Sequence, residues 1–295
     1  MHNNFKSGFV TLLGKPNVGK STLLNFLLKR KVAIVSDKPQ TTRHKILGIY
    51  TAKDLQIVFL DTPGIHKPHS KLGTLLIKTA KKALIEVDLI LFLVSALDAF
   101  KENYAFNLLK NIKTTCLLVI NKIDKVASEE LAQLIEKYRQ FSFFKKIIPI
   151  SALYGQNIPV LLEEIKKELK PGPKYYEEDI ITDLKDDFLI SELIREKVLE
   201  LTYDEVPHAV NVLIDEMRFR ETKEMVDIYA TIIVEKESQK GILIGKKGEL
   251  LKQVGIKARK DIESFLGCKV YLNLWVKVKK NWRNEEKILK DFGFF

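Results

Sequence analysis

Residues Gly14-Lys15-Pro16-Asn17-Val18-Gly19-Lys20-Ser21-Thr22 fit the pattern G-x-x-x-x-G-K-[ST], whose chemistry is the cradling of phosphate. Gly14 and Gly19 let the backbone curl so that successive N–H groups face phosphate oxygens. Lys20 supplies a point charge for the outer phosphates, and the Ser21 hydroxyl is a candidate magnesium ligand. A glycine turn with a capping serine is the bland alternative, and the motifs further along decide against it.

Asp61-Thr62-Pro63-Gly64 matches D-x-x-G, where the carboxylate holds magnesium through water and the Gly64 N–H senses the terminal phosphate. Between these motifs lies Gln40-Thr41-Thr42-Arg43. One of its threonines is expected to place a hydroxyl on the magnesium when the terminal phosphate is present; Thr42 is the first candidate and Thr41 the second. Asn121-Lys122-Ile123-Asp124 matches N-K-x-D. Asp124 is suited to accept hydrogen bonds from the ring N–H and exocyclic amine of guanine, whereas adenine would leave it buried and unpaired, a cost on the order of several kcal/mol. Lys122 is placed to lie along the base and brace the loop, and Ser151-Ala152-Leu153 to offer a backbone N–H to the guanine oxygen. An ATP site is disfavoured by Asp124; GTP or GDP with magnesium is the expected ligand set.

These residues need a scaffold, and the hydrophobic pattern supplies one. Apolar runs predict strands near 7–13, 45–52, 55–60, 88–95, 115–120 and 146–150, with helical patterns near 20–31, 71–86, 101–112, 127–140 and 157–169. Each motif then follows a strand, at the carboxyl edge where ligands bind in open α/β sheets. Only a few residues, including Lys53-Asp54, separate the second and third strands, which predicts a hairpin. The fold class is α/β: a phosphate-loop GTPase domain on a mixed, mostly parallel six-stranded sheet, followed by a smaller α+β domain.

Lys170-Pro171-Gly172-Pro173-Lys174 cannot continue a helix, so the domains are set at 1–170 and 186–295 with a linker over 171–185. The second domain reads as a helix near 186–202, strands near 210–217, 226–235 and 270–278, and a helix repeating Leu250, Leu251, Val254, Ala258, Ile262 and Phe265. Before that helix stands Gly245-Lys246-Lys247-Gly248. The order resembles a KH domain of type II, in which a G-x-x-G loop clamps the backbone of about four unpaired nucleotides. Candidate RNA contacts are Gly245, Lys246, Lys247 and Gly248, with Lys252, Lys277, Lys279 and Arg283 for phosphates and Tyr271, Trp275 and Trp282 for stacking.

The chain has 295 residues and a net charge of +11, unevenly spread. Residues 171–240 carry 9 basic against 18 acidic side chains, and residues 241–295 carry 13 against 6, which suits a directed nucleic-acid surface. Two cysteines form no disulfide framework or metal cluster and fit a reducing, cytoplasmic compartment. No apolar run approaches a membrane span.

With Lys38-Pro39-Gln40-Thr41-Thr42-Arg43 and Asp61-Thr62-Pro63-Gly64-Ile65-His66-Lys67-Pro68 added, nearly the whole chain resembles the Era-type bacterial GTPases. The resemblance implies a GTPase that binds a single-stranded segment near the 3′ end of small-subunit ribosomal RNA, not DNA, and acts as a checkpoint in small ribosomal subunit assembly. It also implies peripheral association with the inner face of the cell membrane, although no amphipathic anchor stands out. Ile65 occupies the position where many GTPases orient water with glutamine, so turnover should be slow; even a glutamine-bearing GTPase reaches only roughly 10⁻⁴–10⁻³ s⁻¹ unaided. Lys20, Thr42, Gly64 and Asn17 are the candidate catalytic set. Related GTPases with asparagine at position 17 use potassium beside the phosphates; an asparagine that merely braces the turn is the competing reading. His66 and His69 are expected to be solvated loop residues. The alternatives in other classes are a nucleotide-gated RNA scaffold with incidental hydrolysis and a GTPase partner of an RNA-modifying enzyme.

Overall fold

Near-continuous apolar runs suit strands covered on both faces, and the first half of the chain uses them that way. The structure, a computed structural model, describes residues 5–38, 41–65, 70–84, 87–110, 112–220 and 224–294; Gln40, His66 and His69 lie outside them. By its internal contacts the chain divides into two units. The first comprises Met1–Ala33, Thr42–His69 and Gly73–Asp183, and the second Ile34–Thr41, Ser70–Leu72 and Leu184–Phe295.

The elements through residue 168 are β1 (Lys6–Gly14), α1 (Lys20–Leu28), β2 (Ile46–Ala52), β3 (Leu55–Asp61), α2 (Lys71–Lys82), β4 (Leu89–Ser95), α3 (Tyr104–Leu109), β5 (Cys116–Asn121), α4 (Ser128–Arg139), β6 (Phe144–Pro149) and α5 (Ile158–Glu168). The strands lie in the order β2-β3-β1-β4-β5-β6, and among them only the β2–β3 pair is antiparallel. Every residue of β3, β4 and β5 is buried. The sheet is the mixed, mostly parallel one that the pattern predicts.

Three helices are shorter than expected, α2 among them, which ends at Lys82. The pattern near 101–112 yields a helix only over Tyr104–Leu109, because the Asn103 side chain accepts the N–H groups of Ala105 and Phe106 at 3.0 and 3.2 Å and fixes the start. The first helix ends at Leu28 because Lys29 turns left-handed, φ 52°. The proline-bounded stretch after residue 170 is also more than a tether. Ile49 donates to the Ile181 carbonyl at 2.7 Å, Thr182 Oγ1 to the Leu47 carbonyl at 2.6 Å, and Gln56 binds the backbone of Tyr175 and Tyr176. β2 is an edge strand whose open backbone groups need partners, and this segment supplies them.

The second unit contains α6 (Asp186–Leu201), α7 (Val206–Ala209), β7 (Asn211–Arg220), β8 (Met225–Val234), α8 (Glu237–Ile244), α9 (Glu249–Leu266), β9 (Lys269–Val278) and α10 (Glu286–Asp291). β7 pairs antiparallel with β8 and β8 parallel with β9. Its core joins Ile190, Ile194 and Val198 of α6 to Val226, Ile228 and Ile232 of β8 and to Val254, Ala258 and Ile262 of α9. The stacking role expected for Trp282 is overturned. Its indole is fully buried, donates Nε1–H to the Ala209 carbonyl at 2.8 Å, and packs on Phe292 and Phe294 at centroid distances of 5.4 and 6.3 Å. A buried tryptophan needs both an apolar pocket and an acceptor for its N–H, and the chain end after β9 supplies the pocket.

Candidate functional site

The phosphate loop runs from the end of β1 to the start of α1. Gly19 carries φ 96°, and a Cβ there would lie 2.2 Å from the Asn121 side-chain nitrogen, so glycine is required on both grounds. α1 has no side-chain cap at its N-terminus, which leaves its first N–H groups for an anion. Lys20 is buried and donates to the carbonyls of Lys15 at 2.9 Å and Gly14 at 3.4 Å. Burial lowers its pKa, opposed by the charge of Asp61.

Ser21, Thr42 and Asp61 converge. Ser21 Oγ donates to Asp61 Oδ2 at 2.7 Å and lies 3.1 Å from Thr42 Oγ1, which in turn donates to Asp61 Oδ2 at 3.4 Å. Of the two threonines, Thr42 reaches this cluster, whereas the Thr41 hydroxyl donates to the Lys38 carbonyl. Burial raises the Asp61 pKa, opposed first by Lys20 and then by the Ser21 and Thr42 hydroxyls. Asp61 Oδ1 is buried without a hydrogen-bond partner among the described residues. One carboxylate with an unsatisfied oxygen beside two hydroxyls is a hard, all-oxygen donor set, which fits magnesium. When bound, that ion neutralises phosphate charge. Ser21, Thr42 and Asp61 would hold that ion, and Lys20 would reach the same phosphates.

The base side is built from β5 and the loop after β6. Asn121 donates to the Val18 carbonyl at 2.8 Å and accepts the Ala152 N–H at 2.9 Å, so one amide ties the phosphate loop to the base loop. Lys122 donates to the Asn17 carbonyl at 2.7 Å, the bracing role expected of it. Ser151 Oγ donates to Asp124 Oδ1 at 2.5 Å and aims the carboxylate. Two expectations need correction. Asp124 is exposed, so discrimination against adenine arises only as a base covers it. The Ser151 N–H bonds the Gln156 carbonyl and the Ala152 N–H bonds Asn121, so two of the three backbone donors expected to face guanine already have partners. Gly64 packs against Pro16 beside the phosphate loop, and Ile65 is buried in the core, where it cannot touch water near a phosphate. Asn17 is exposed with φ 64°, a left-handed conformation that asparagine tolerates well.

In the second unit, Gly245 and Gly248 carry φ 72° and 80°, and Lys246 and Lys247 between them are exposed. They open α9, and beside its first turns runs a groove of about 440 Å³ between α9 and β9. Lys252 lines it as expected. Gly248 and the stacking candidate Tyr271 line it as well, whereas sequence reading missed Gly255, Ile256 and Arg259 of α9 and Leu272 and Leu274 of β9. The available signal was that Leu272 and Leu274 sit on the inward face of an edge strand while Gly255 leaves room opposite them. Lys277 shares a face of β9 with Trp275, and neither lines the groove. Lys279 Nζ rests 5.0 Å over the Phe292 ring, and Arg283 is paired with buried Glu235 at 2.5 Å.

Two sites of this construction define a phosphate-loop GTPase fused to a KH-type RNA-binding module. A family model described as 50S ribosome-binding GTPase matches residues 9–122, and a KH domain model matches residues 205–283. A structure of Era in complex with MgGDPNP and nucleotides 1506–1542 of 16S ribosomal RNA is 41% identical, with 98% of this chain and 99% of that chain covered and a TM-score of 0.93. An Aquifex aeolicus Era variant bound to GDP and aluminium fluoride is also 41% identical over 98% and 99% of the two chains, with a TM-score of 0.94. The chain belongs to the Era family of RNA-binding GTPases. No helix among the described residues is long and apolar enough to cross a membrane.

Proposed function

We propose that this protein binds GTP with magnesium, hydrolyses it slowly, and binds the 3′ end of small-subunit ribosomal RNA as a checkpoint in small-subunit assembly. The observation that carries the reading is the groove beside Gly245–Gly248 in a chain that matches, over 98% of its length, a relative holding GDPNP and that RNA segment. The working division is a GTP-binding domain over 1–170, a linker over 171–185 and an RNA-binding domain over 186–295. Lys20, Ser21, Thr42, Asp61 and Gly64 serve the phosphates and metal, Asn121, Lys122 and Asp124 the base, and Gly245–Gly248 with Lys252 the RNA backbone. The protein works in the cytoplasm, with peripheral contact at the inner membrane face.

The test is binding of a single-stranded oligonucleotide copied from the 3′ end of 16S RNA against a scrambled one of equal length, at matched salt. Preference for the former is expected; equal affinity for both would remove the ribosomal target and leave the nucleotide-gated scaffold. Asn17 is proposed to help hold potassium beside the phosphates, doing the electrostatic work of an arginine finger. Hydrolysis should run faster in potassium than in sodium chloride, and equal rates would leave Asn17 as a turn residue.

A further inference from the structure

Helix α9 runs from Glu249 to Leu266, and Gly255 lies in its interior, at neither cap. Glycine there is less stable than alanine, because it gives up the most backbone freedom on folding. The fold of the second unit supplies no reason for it. Gly255 is not among the left-handed glycines, and a Cβ built on it would meet only Leu274 Cδ1, at 3.7 Å, an ordinary van der Waals contact. Alanine would therefore fit the protein and hold the helix better. The space that glycine keeps empty belongs to the groove, whose walls include Gly255 and Leu274. Leu251, Ile256 and Leu272 add apolar surface to the same groove, and Ile256 is 52% exposed. Arg259 also lines it, about one helical turn beyond Gly255 and on the same face of α9. The other arginines of this unit, Arg195, Arg218, Arg220 and Arg283, each pair with a carboxylate. Arg259 is exposed and has no ion pair or hydrogen bond among the described residues.

We infer that Gly255 and Arg259 form a base-contact point: the glycine admits the flat face of one unpaired nucleobase against α9, and Arg259 addresses that base. Apolar walls on both sides suit the face of a base and not a phosphate. A methyl group at position 255 already touches Leu274, so any side chain there takes the room that a ring needs. The planar guanidinium of Arg259 can stack on a base or donate to its edge, which an ammonium cannot do in the same way. The labour then divides along α9. The loop Gly245–Gly248 and Lys252 hold the sugar–phosphate chain, and the next turns of the helix select what it carries. The inference rests on reading the groove as the RNA site and goes beyond it by giving a base, not the backbone, to this position.

The experiment uses the full-length chain with Gly255→Ala, Gly255→Leu or Arg259→Lys. Each variant is melted without RNA and titrated with the single-stranded 3′-end oligonucleotide and with an abasic strand of equal length, which keeps the phosphates. Gly255→Ala should melt higher by about 2–5 °C and yet bind the oligonucleotide roughly tenfold more weakly, with an unchanged salt slope. Gly255→Leu should bind more weakly still, and neither change should alter affinity for the abasic strand. Arg259→Lys should lose affinity for the base-bearing strand alone, at an unchanged salt slope, since the charge is kept. Parental RNA affinity in Gly255→Ala overturns the inference, as does an equal loss on the abasic strand. A lowered melting temperature in that variant also overturns it, by giving the glycine a structural reason. Parental affinity in Arg259→Lys removes Arg259 from the contact and makes it a phosphate ligand. If Gly255→Leu does not fold, the alanine variant decides alone. A parent that ignores the difference between ribosomal and scrambled sequence defeats the ribosomal target of the proposed function. The comparison of base-bearing with abasic strands still reports on Gly255 in that case.

Discussion

At the scale of single residues, the chemistry is carried by buried charge whose protonation the fold has moved. Asp61 is held above the usual carboxylate range by burial, although Lys20 and two hydroxyls oppose the shift. The ionised form is the one that binds magnesium, so acidification protonates Asp61 and weakens the ion, and the raised value makes this begin at a higher pH than for a solvated aspartate. Titrating the magnesium dependence of GDPNP binding from about pH 8 to about pH 5 should show affinity lost on the acidic side, earlier than an unperturbed value near 3.9 predicts. A profile flat through that range would mean that the nucleotide restores an ordinary aspartate. Asp124 and Asp61 illustrate what a motif conveys. Each was legible from its residue type and position after a strand, because a carboxylate there has few other uses. That one is exposed and the other buried depends on neighbours distant in the chain, which no spacing encodes.

Elements decide which candidate side chains are free to work. Lys246 and Lys247 stand exposed between two left-handed glycines, whereas Arg283 is tied to Glu235, whose side chain is 9% exposed. Replacing Lys246 and Lys247 by alanine should weaken RNA binding and flatten its salt dependence by about 0.7 in log–log slope for each phosphate no longer neutralised, with little change in melting temperature. Arg283→Ala should do the reverse, costing on the order of 3 kcal/mol in stability by leaving a buried carboxylate unpaired. Denaturant melts and salt-dependent RNA titrations of the same variants separate the two roles. A salt slope changed by Arg283→Ala with stability intact would return that residue to the RNA surface. The alternation of β9 was readable, since Val270, Leu272, Leu274 and Val276 share a face. The groove over Leu272 and Leu274 was not, because it depends on how α9 lies against β9 around Gly255, which only the fold decides.

For the whole molecule, the claim is linkage. If GTP orders the region around Thr42 and this biases the RNA groove, then RNA must tighten GDPNP binding by the factor by which GDPNP tightens RNA binding. Measuring both arms by calorimetry, with GDP as the reference, should return one coupling factor of roughly 5- to 150-fold. Equal RNA affinity in the GDP and GDPNP states would end the checkpoint reading and favour a scaffold. The residue sequence alone determined the ligand class, the wound sheet and the two-part organisation, because phosphate loops, base-reading carboxylates and apolar periodicities are local in the chain. Tertiary structure decided the rest. It buried Trp282, committed Arg283 to Glu235, laid the stretch after Pro171 along the open edge of β2, and gave residues 34–41 to the unit that carries the RNA groove. Those outcomes turn on desolvation and on which distant group satisfies a buried donor or acceptor, and such pairings exist only once the chain has folded back on itself.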